Sequence, residues 1–363
     1  MTIYLKMLIY ILSFLSLSLF LALIIFHLRL KYYENKEQLY KEKYSSIIES
    51  YIDYEINLEK TISYFENENN YKILKNIFKP YLNKYENEKH NRLKILIKKI
   101  GLKNYLNEKL NSNNKKKTLK AASFLGKLQD RNALNKLEKL LKSNDRLKII
   151  TSAWAISEIG DLSYLKPVIK TLLNKSEMTY EAITELLVNF GENICDNLID
   201  YLNKDLKEED YLVNEFETDE YKILSVFIDI FGFYRYEKSL KVLEKLLIEN
   251  TNEEVTIHIF KALVKIGQPV NVNLKQFLQS ESWVIRSQSA KYIGVIGAEE
   301  HTQTLSYLLY DENWWVGYYA AQSLWKMDKT KLMKNIIKHD KPGAEMCSYI
   351  LAKNNYIFNL EGS

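Results

Sequence analysis

Glycine and proline are scarce in this 363-residue chain, at 11 and 4 residues. So few breakers leave little room for the tight turns of a β-rich fold and favour a helix-dominated chain. Only two cysteines are present, Cys195 and Cys347, far apart and without a CxxC pair. That usage fits buried, unpaired thiols in a reducing compartment. The histidines (His27, His90, His258, His301, His339) show no H-x-x-x-H spacing and no neighbouring cysteine or carboxylate pair at metal-ligand distance. No G-x-S-x-G, P-loop or G-x-G-x-x-G occurs. Catalytic, metal-binding and cofactor-binding residues are therefore not expected. The net charge of +5 is too mild to imply nucleic acid by itself.

What is abundant begins at the N-terminus. Met7 to Phe26, MLIYILSFLSLSLFLALIIF, is an uncharged run of 20 residues. At helical rise it reaches about 30 Å, one hydrocarbon thickness. A cleaved signal peptide would turn polar after its small residues, but LFLALIIF follows Ser16-Leu17-Ser18 and keeps the segment apolar. A retained transmembrane helix over 7–28 is expected, behind a short tail at 1–6. Lys6 flanks one side, whereas Arg29, Lys31, Lys36, Lys41 and Lys43 follow the other. That bias places the bulk of the chain in the cytoplasm.

Residues 29–117 read as a helical juxtamembrane or stalk region. Tyr40, Tyr44, Ile47, Tyr51, Tyr54, Leu58, Thr61 and Phe65 alternate spacings of four and three, an a/d pattern along a long helix reaching about residue 70. Two readings stand: a coiled-coil stalk that self-associates through 40–65, or a helix laid against its neighbours. A second helical stretch is expected after Pro80. From Arg92 to Lys120 lysines dominate, with Glu108 the single acid. This is either a solvated basic face or a contact for anionic lipid or an acidic partner, with Lys98, Lys99, Lys103, Lys115, Lys116 and Lys117 as its candidates.

From about 118 an internal period appears. AASFLGKLQ, SAWAISEIG, TELLVNFG, IDIFG, KALVKIG, AKYIGVIG and AQSLWKM align with steps of 31, 31, 41, 35, 30 and 31. Each period holds two helices and two turns, and such hairpins stack because one alone cannot bury its apolar faces. The terminal glycine fits a left-handed C′ position. The long step falls on an acidic insertion at 203–221, read as a solvated loop, and 341–353 reads as a closing helix. In ESWVIRSQSAKYIGVIGAEEHTQTLSYLLYDENWWV, the W-x-I/V-R start, central alanine, apolar-Gly pair and final glycine resemble HEAT repeats of the short phycobilisome-lyase kind. The resemblance covers about 120–355. It implies an all-α fold: an α-solenoid of about six to eight HEAT-like hairpins over 118–356, with a C-terminal tail at 357–363. It also implies that Arg286 bonds a carbonyl or aspartate of an adjacent turn; its counterpart 31 residues on is Gly317. The HEAT-like deoxyhypusine hydroxylases hold iron with His-Glu pairs, and no His-Glu dipeptide occurs here.

YDENWWVGYYAAQSLWKM, at 310–327, holds three Trp and three Tyr. Offset by 31, Trp314, Val316, Ala321 and Leu324 match Trp283, Ile285, Ala290 and Ile293, and read as core or turn positions. The departures from pattern are candidates for partner binding: Trp315, Tyr318, Tyr319, Gln322 and Trp325, with Lys291 from the preceding repeat. Tyr318, Gln322 and Trp325 would share one flank of a helix lining the concave face. The competing reading is that Trp325 only fills space against the closing helix. The expectation is thus a membrane-anchored, non-catalytic scaffold or adaptor that binds an unidentified protein partner. The alternatives are an enzyme or enzyme accessory subunit, and a binder of anionic polymer or lipid through 92–120. Tyr105 is the single ring in that run, so base stacking has little to work with and nucleic acid is disfavoured.

Overall fold

The computed structural model describes residues 2–66, 68–175, 178–205, 220–249 and 252–361. Most of the acidic insertion expected at 203–221, the first residue of the N-terminal tail and the last two of the C-terminal tail lie outside them. All regular structure among the described residues is helical. The chain divides into two compact units, Met1–Glu138 and Lys139–Ser363.

The N-terminal unit holds α1 (Thr2–Ile52), α2 (Leu58–Ser63), α3 (Tyr71–Lys84), α4 (Asn87–Lys99), α5 (Leu102–Lys109) and α6 (Lys115–Lys127). The first half of α1 packs against nothing: every side chain from Met7 to Asn35 is exposed. This helix is long and apolar enough to cross a membrane. Its second half is anchored to the unit. Tyr44, Ile48, Tyr51 and Ile52 are buried, and the Tyr40 and Tyr44 hydroxyls donate to the Glu68 carboxylate at 2.9 and 3.0 Å. Tyr44 also stacks on Phe65, with centroids 4.5 Å apart.

The continuous helix expected to residue 70 is corrected here. α1 stops at Ile52, Tyr54 takes a left-handed φ of 65°, and Asn57 caps α2 by accepting the Lys60 N–H. Ile48, not Ile47, occupies the core. The buried set 44, 48, 51 and 52 is a broad 3.6-period face turned toward α2, α3 and α4, not a narrow coiled-coil seam. Helix α4 does follow Pro80, but Pro80 is not the break before it: it lies inside α3, on its exposed side. The 92–120 run is likewise no single helix. Gly101 (φ 81°) ends α4 and starts α5, and Asn114 caps α6.

α7 (Leu134–Leu141) straddles the division. The C-terminal unit continues with α8 (Arg146–Ile159), α9 (Leu165–Lys175), α10 (Tyr180–Val188), α11 (Ile194–Asp205), α12 (Glu220–Tyr234), α13 (Leu240–Glu249) and α14 (Glu253–Ile266). It ends with α15 (Leu274–Leu278), α16 (Trp283–Ile296), α17 (Thr302–Leu308), α18 (Trp314–Lys326), α19 (Thr330–Lys338) and α20 (Ala344–Glu361). Alternate helices α8, α10, α12, α14, α16, α18 and α20 pack side by side, each against the next.

Left-handed residues fall at Gln129, Gly160, Gly191, Arg235, Gly267, Gly297 and Asp328, steps of 31, 31, 44, 32, 30 and 31. The turn therefore recurs even where glycine does not. Gly232, aligned above with the terminal glycines, instead lies within α12, where an added Cβ would come 2.8 Å from Ala262 Cα. The same device joins α16 to α18: a Cβ on Gly294 would sit 2.6 Å from Ser323 Cα. The Ser323 hydroxyl donates to the Ala290 carbonyl across that contact at 2.7 Å.

Arg286 fixes the turn geometry. Its Nε and Nη2 donate to both oxygens of Asp311 at 2.8 and 2.9 Å, and its Nη1 donates to the carbonyls of Ser280 and Glu281. The guanidinium fork matches the carboxylate bidentately. Gly317 makes no such bond and backs onto the Leu309 carbonyl instead. Arg286→Ala strands the buried Asp311 carboxylate and is expected to cost about 3–5 kcal/mol. Gly294→Ala forces α16 and α18 apart and is expected to cost about 1–3 kcal/mol or more. Thermal unfolding by circular dichroism measures both.

Candidate functional site

The row of alternate helices exposes one polar and aromatic strip. At its centre a groove of about 470 Å³ is lined from α10, α12, α14 and α16. On its floor His258 Nδ1 lies 2.8 Å from Asp229 Oδ1. A carboxylate accepts, so Nδ1 carries the proton there and Nε2 is the ring's other polar atom. Thr184 also lines the groove, and its buried hydroxyl has no hydrogen-bond partner among the described residues. Glu181 and Glu185 rim the α10 side. The Glu181 carboxyl is held below the usual carboxylate range by its own backbone N–H and the Thr179 hydroxyl.

Lysines form the other wall. Lys261, Lys265 and Lys291 line the groove, and none of them forms an ion pair among the described residues. Burial pushes the Lys291 ammonium down, and the neighbouring Lys326 and Lys265 push it further. Lys291 sits over the Tyr319 ring at 5.2 Å, a cation–π contact that extends the groove onto α18.

On α18 the aromatics divide differently from the expectation. Trp315 is 48% exposed, and Tyr319, Gln322 and Trp325 are partly exposed. Tyr318 is buried, which corrects its placement on the open flank. Its ring stacks on Trp314 with centroids 5.1 Å apart, and its hydroxyl is bonded to Lys353 Nζ at 2.6 Å. Trp314, assigned above to a core or turn position, is 50% exposed. With Tyr310, Pro342, Met346 and Tyr349 it lines a second groove of about 750 Å³. The exchange follows from α20, which packs against α18 and covers Tyr318.

Sequence reasoning missed Asp229, His258, Lys261 and Lys265. A signal was present: stepping back from Gln322 by 31, 30 and 32 gives Lys291, Lys261 and Asp229, one register of the repeat.

The lysines of the N-terminal unit are not equivalent. Lys98, Lys99, Lys115, Lys116 and Lys117 are exposed. Lys103 is withdrawn from the candidate set, because it pairs with the buried Asp130 at 2.7 Å. Arg92 is structural too: it donates to the Tyr51 carbonyl and stacks on Tyr51 and Tyr54.

No protein-family model matches the chain, and no curated protein matches it. Among solved structures it is similar to two engineered proteins of the Northeast Structural Genomics Consortium. One shares 16% identity over 80% of this chain and 87% of its own, with a TM-score of 0.33. The other shares 17% identity over 62% of this chain and 96% of its own, with a TM-score of 0.28. Likeness at that level assigns neither family nor function.

Cys195 and Cys347 are both buried and free. Burial pushes their thiols up to about 12 and about 11. Neither thiol ionises near neutrality in the folded state, and the thiolate is the reactive form. Iodoacetamide at pH 8 is expected to leave both unmodified in native protein and to alkylate both after urea unfolding, as read by intact mass. Because an unfolded thiol ionises near 8.5, folded stability is expected to fall as pH rises from about 9 toward 12.

Proposed function

We propose that this chain is a membrane-anchored, non-catalytic scaffold whose C-terminal unit is an α-solenoid of HEAT-like hairpins. The side-by-side order of the alternate helices and the recurring left-handed turn support the solenoid. The uncovered apolar half of α1 supports the anchor, and the Lys/Arg bias behind it supports a cytoplasmic location for the bulk of the chain. The partner is a protein segment bound along the exposed strip of the alternate helices.

One observation carries this reading: a sign-split groove, with Glu181, Glu185 and Asp229 on one side and Lys261, Lys265 and Lys291 on the other. A polyphosphate would meet repulsion from the acidic wall. A peptide can present both charges, donate or accept at Thr184, and rest apolar side chains on Trp315 and exposed Phe233.

A photocrosslinking amino acid placed at Tyr319 or Gln322 in cells is expected to capture the same protein. One placed at Tyr307, on the intervening α17, is expected not to. Trp315→Ala combined with Lys291→Glu should reduce capture at least about tenfold, with unchanged thermal stability. Equal capture from all three sites would remove the strip from consideration. Digestion of residues 120–363 by protease added outside intact cells would overturn the cytoplasmic assignment.

A further inference from the structure

In the N-terminal unit, α3 and α6 bring lysines toward the apolar end of α1. Lys72 Nζ sits over the Tyr33 ring at 4.1 Å, and Asn76 donates to Glu37 at 3.0 Å. Further along, Tyr81 donates to Glu49 at 3.1 Å. α3 therefore runs beside α1 in the same direction, starting close to the apolar segment. α6 follows the same course: Lys127 reaches Asn83 at the far end of α3, and Lys120 lies close enough to Lys75 to lower its pKa, after the larger effect of burial. The first turn of α6, Lys115-Lys116-Lys117, is thus carried toward the apolar end.

Tyr33 lies seven residues past Phe26, about 10 Å along the helix. That is about one Debye length at physiological salt. Lys72, Lys75, Lys116, Lys117 and Lys120 gather at this end, beside Arg29, Lys31 and Lys36 of α1. Glu34, Glu37 and Glu42 are interspersed on α1 there, with Glu37 held by Asn76, but the first turn of α6 brings lysines alone. At the other end Asp53 pairs with Lys89 at 2.6 Å, and Glu88 lies in the first turn of α4. The first turn of α6 contains no acidic residue, so its three lysines oppose the helix dipole.

We propose that this basic end docks on an anionic bilayer surface, holding the N-terminal unit against the membrane that α1 crosses. The proposal rests on α1 being the anchor assigned above, and it is independent of the partner strip. An anionic headgroup layer supplies the negative charge that α6 lacks at its start, and the apolar segment brings the lysines to it. Lys98 and Lys99 are not needed, and Lys103 is spent on Asp130.

The test uses the full chain in nanodiscs with a bimane label on Asn113→Cys, just ahead of α6. Native Cys195 and Cys347 are buried and do not compete for label. The discs contain lipid with a nitroxide headgroup, in phosphatidylcholine alone or mixed with phosphatidylglycerol. Quenching is expected to be at least about twofold stronger with phosphatidylglycerol and to be relieved by raised salt. It should also be relieved by Lys116→Glu/Lys117→Glu, and more mildly by Lys116→Gln/Lys117→Gln. A label at Glu88→Cys, at the far end of the unit, should show no such dependence. Equal quenching in both lipids, no quenching at 113, or quenching insensitive to the lysine changes would overturn the docking. Protein that fails to enter discs counts against the anchor; an unquenched label in loaded discs counts against the docking alone.

Discussion

α16 buries eight of its 14 residues, and they point in several directions: Ile285, Ala290 and Ile293, but also Arg286, Ser287, Ser289, Tyr292 and Gly294. A helix apolar or close-packed on so many sides cannot rest on a single partner. It needs α14 on one flank, α18 on the other and α15 behind it, and the contacts supply all three. The lateral row of alternate helices is thus a condition for any one of them being folded. Gly294 against Ser323 and Gly232 against Ala262 set the spacing, because a Cβ at either glycine would collide with its neighbour. Small residues here let backbones approach, and the larger neighbours then fill what is left.

That condition also decides which side chains stay open. With three sides committed to packing, one narrow strip per helix stays free. It holds Asp229 and Phe233 on α12, Lys261 and Lys265 on α14, Gln288 and Lys291 on α16, and Tyr319 with Gln322 on α18. Nothing in the core dictates lysines at 261, 265 and 291, which form no ion pair among the described residues. Lysines in one neighbourhood repel each other, and Lys291 is partly desolvated as well. The arrangement costs the isolated protein stability, which makes the strip the place where fold and sequence part company.

Much of the architecture was legible because it depends on period and turn chemistry. Gly160, Gly267 and Gly297 mark left-handed helix ends, and the W-x-I-R stretch foretold the Arg286 bonds to Asp311 and two carbonyls. What was not legible depended on partners distant in sequence. Of the two readings of 40–65, the helix laid against its neighbours matches the packing, but its partners could not be read from the pattern: Tyr44 and Phe65 meet as stacked rings across a break rather than along one helix. Tyr318 and Trp314 exchanged roles because α20, from which Lys353 reaches the Tyr318 hydroxyl, covers one and not the other. A single repeat compared with its neighbour cannot reveal that, since no earlier repeat lies against the closing helix. The Asp229–His258 pair was invisible for a related reason: its members lie 29 residues apart, near the repeat period, where motif searches do not look.

α1 holds an uncovered apolar half and a packed half in one uninterrupted helix, and the boundary between them lies within a few turns. From Met7 to Asn35 no side chain is covered; from Tyr40 onward, hydroxyls are tied to Glu68 and rings to Phe65. The folded unit therefore takes nothing from the apolar segment, and the apolar segment takes nothing from the unit. Cleavage anywhere up to Ser18 would leave Leu19, Phe20, Leu21, Leu23, Ile24, Ile25 and Phe26 facing water, with no packing to lose and none to gain. A soluble role for that stretch would require a protein surface to cover it, whereas a bilayer covers it on all sides at once. The helix is also stiff on the scale of the gap. Burial of Tyr44, Ile48 and Tyr51 in the unit fixes the direction in which α1 leaves it, and hence which end of the unit lies beside the apolar segment. The same tyrosine face that resembled a dimer seam acts as the clamp that orients the whole N-terminal unit on its helix.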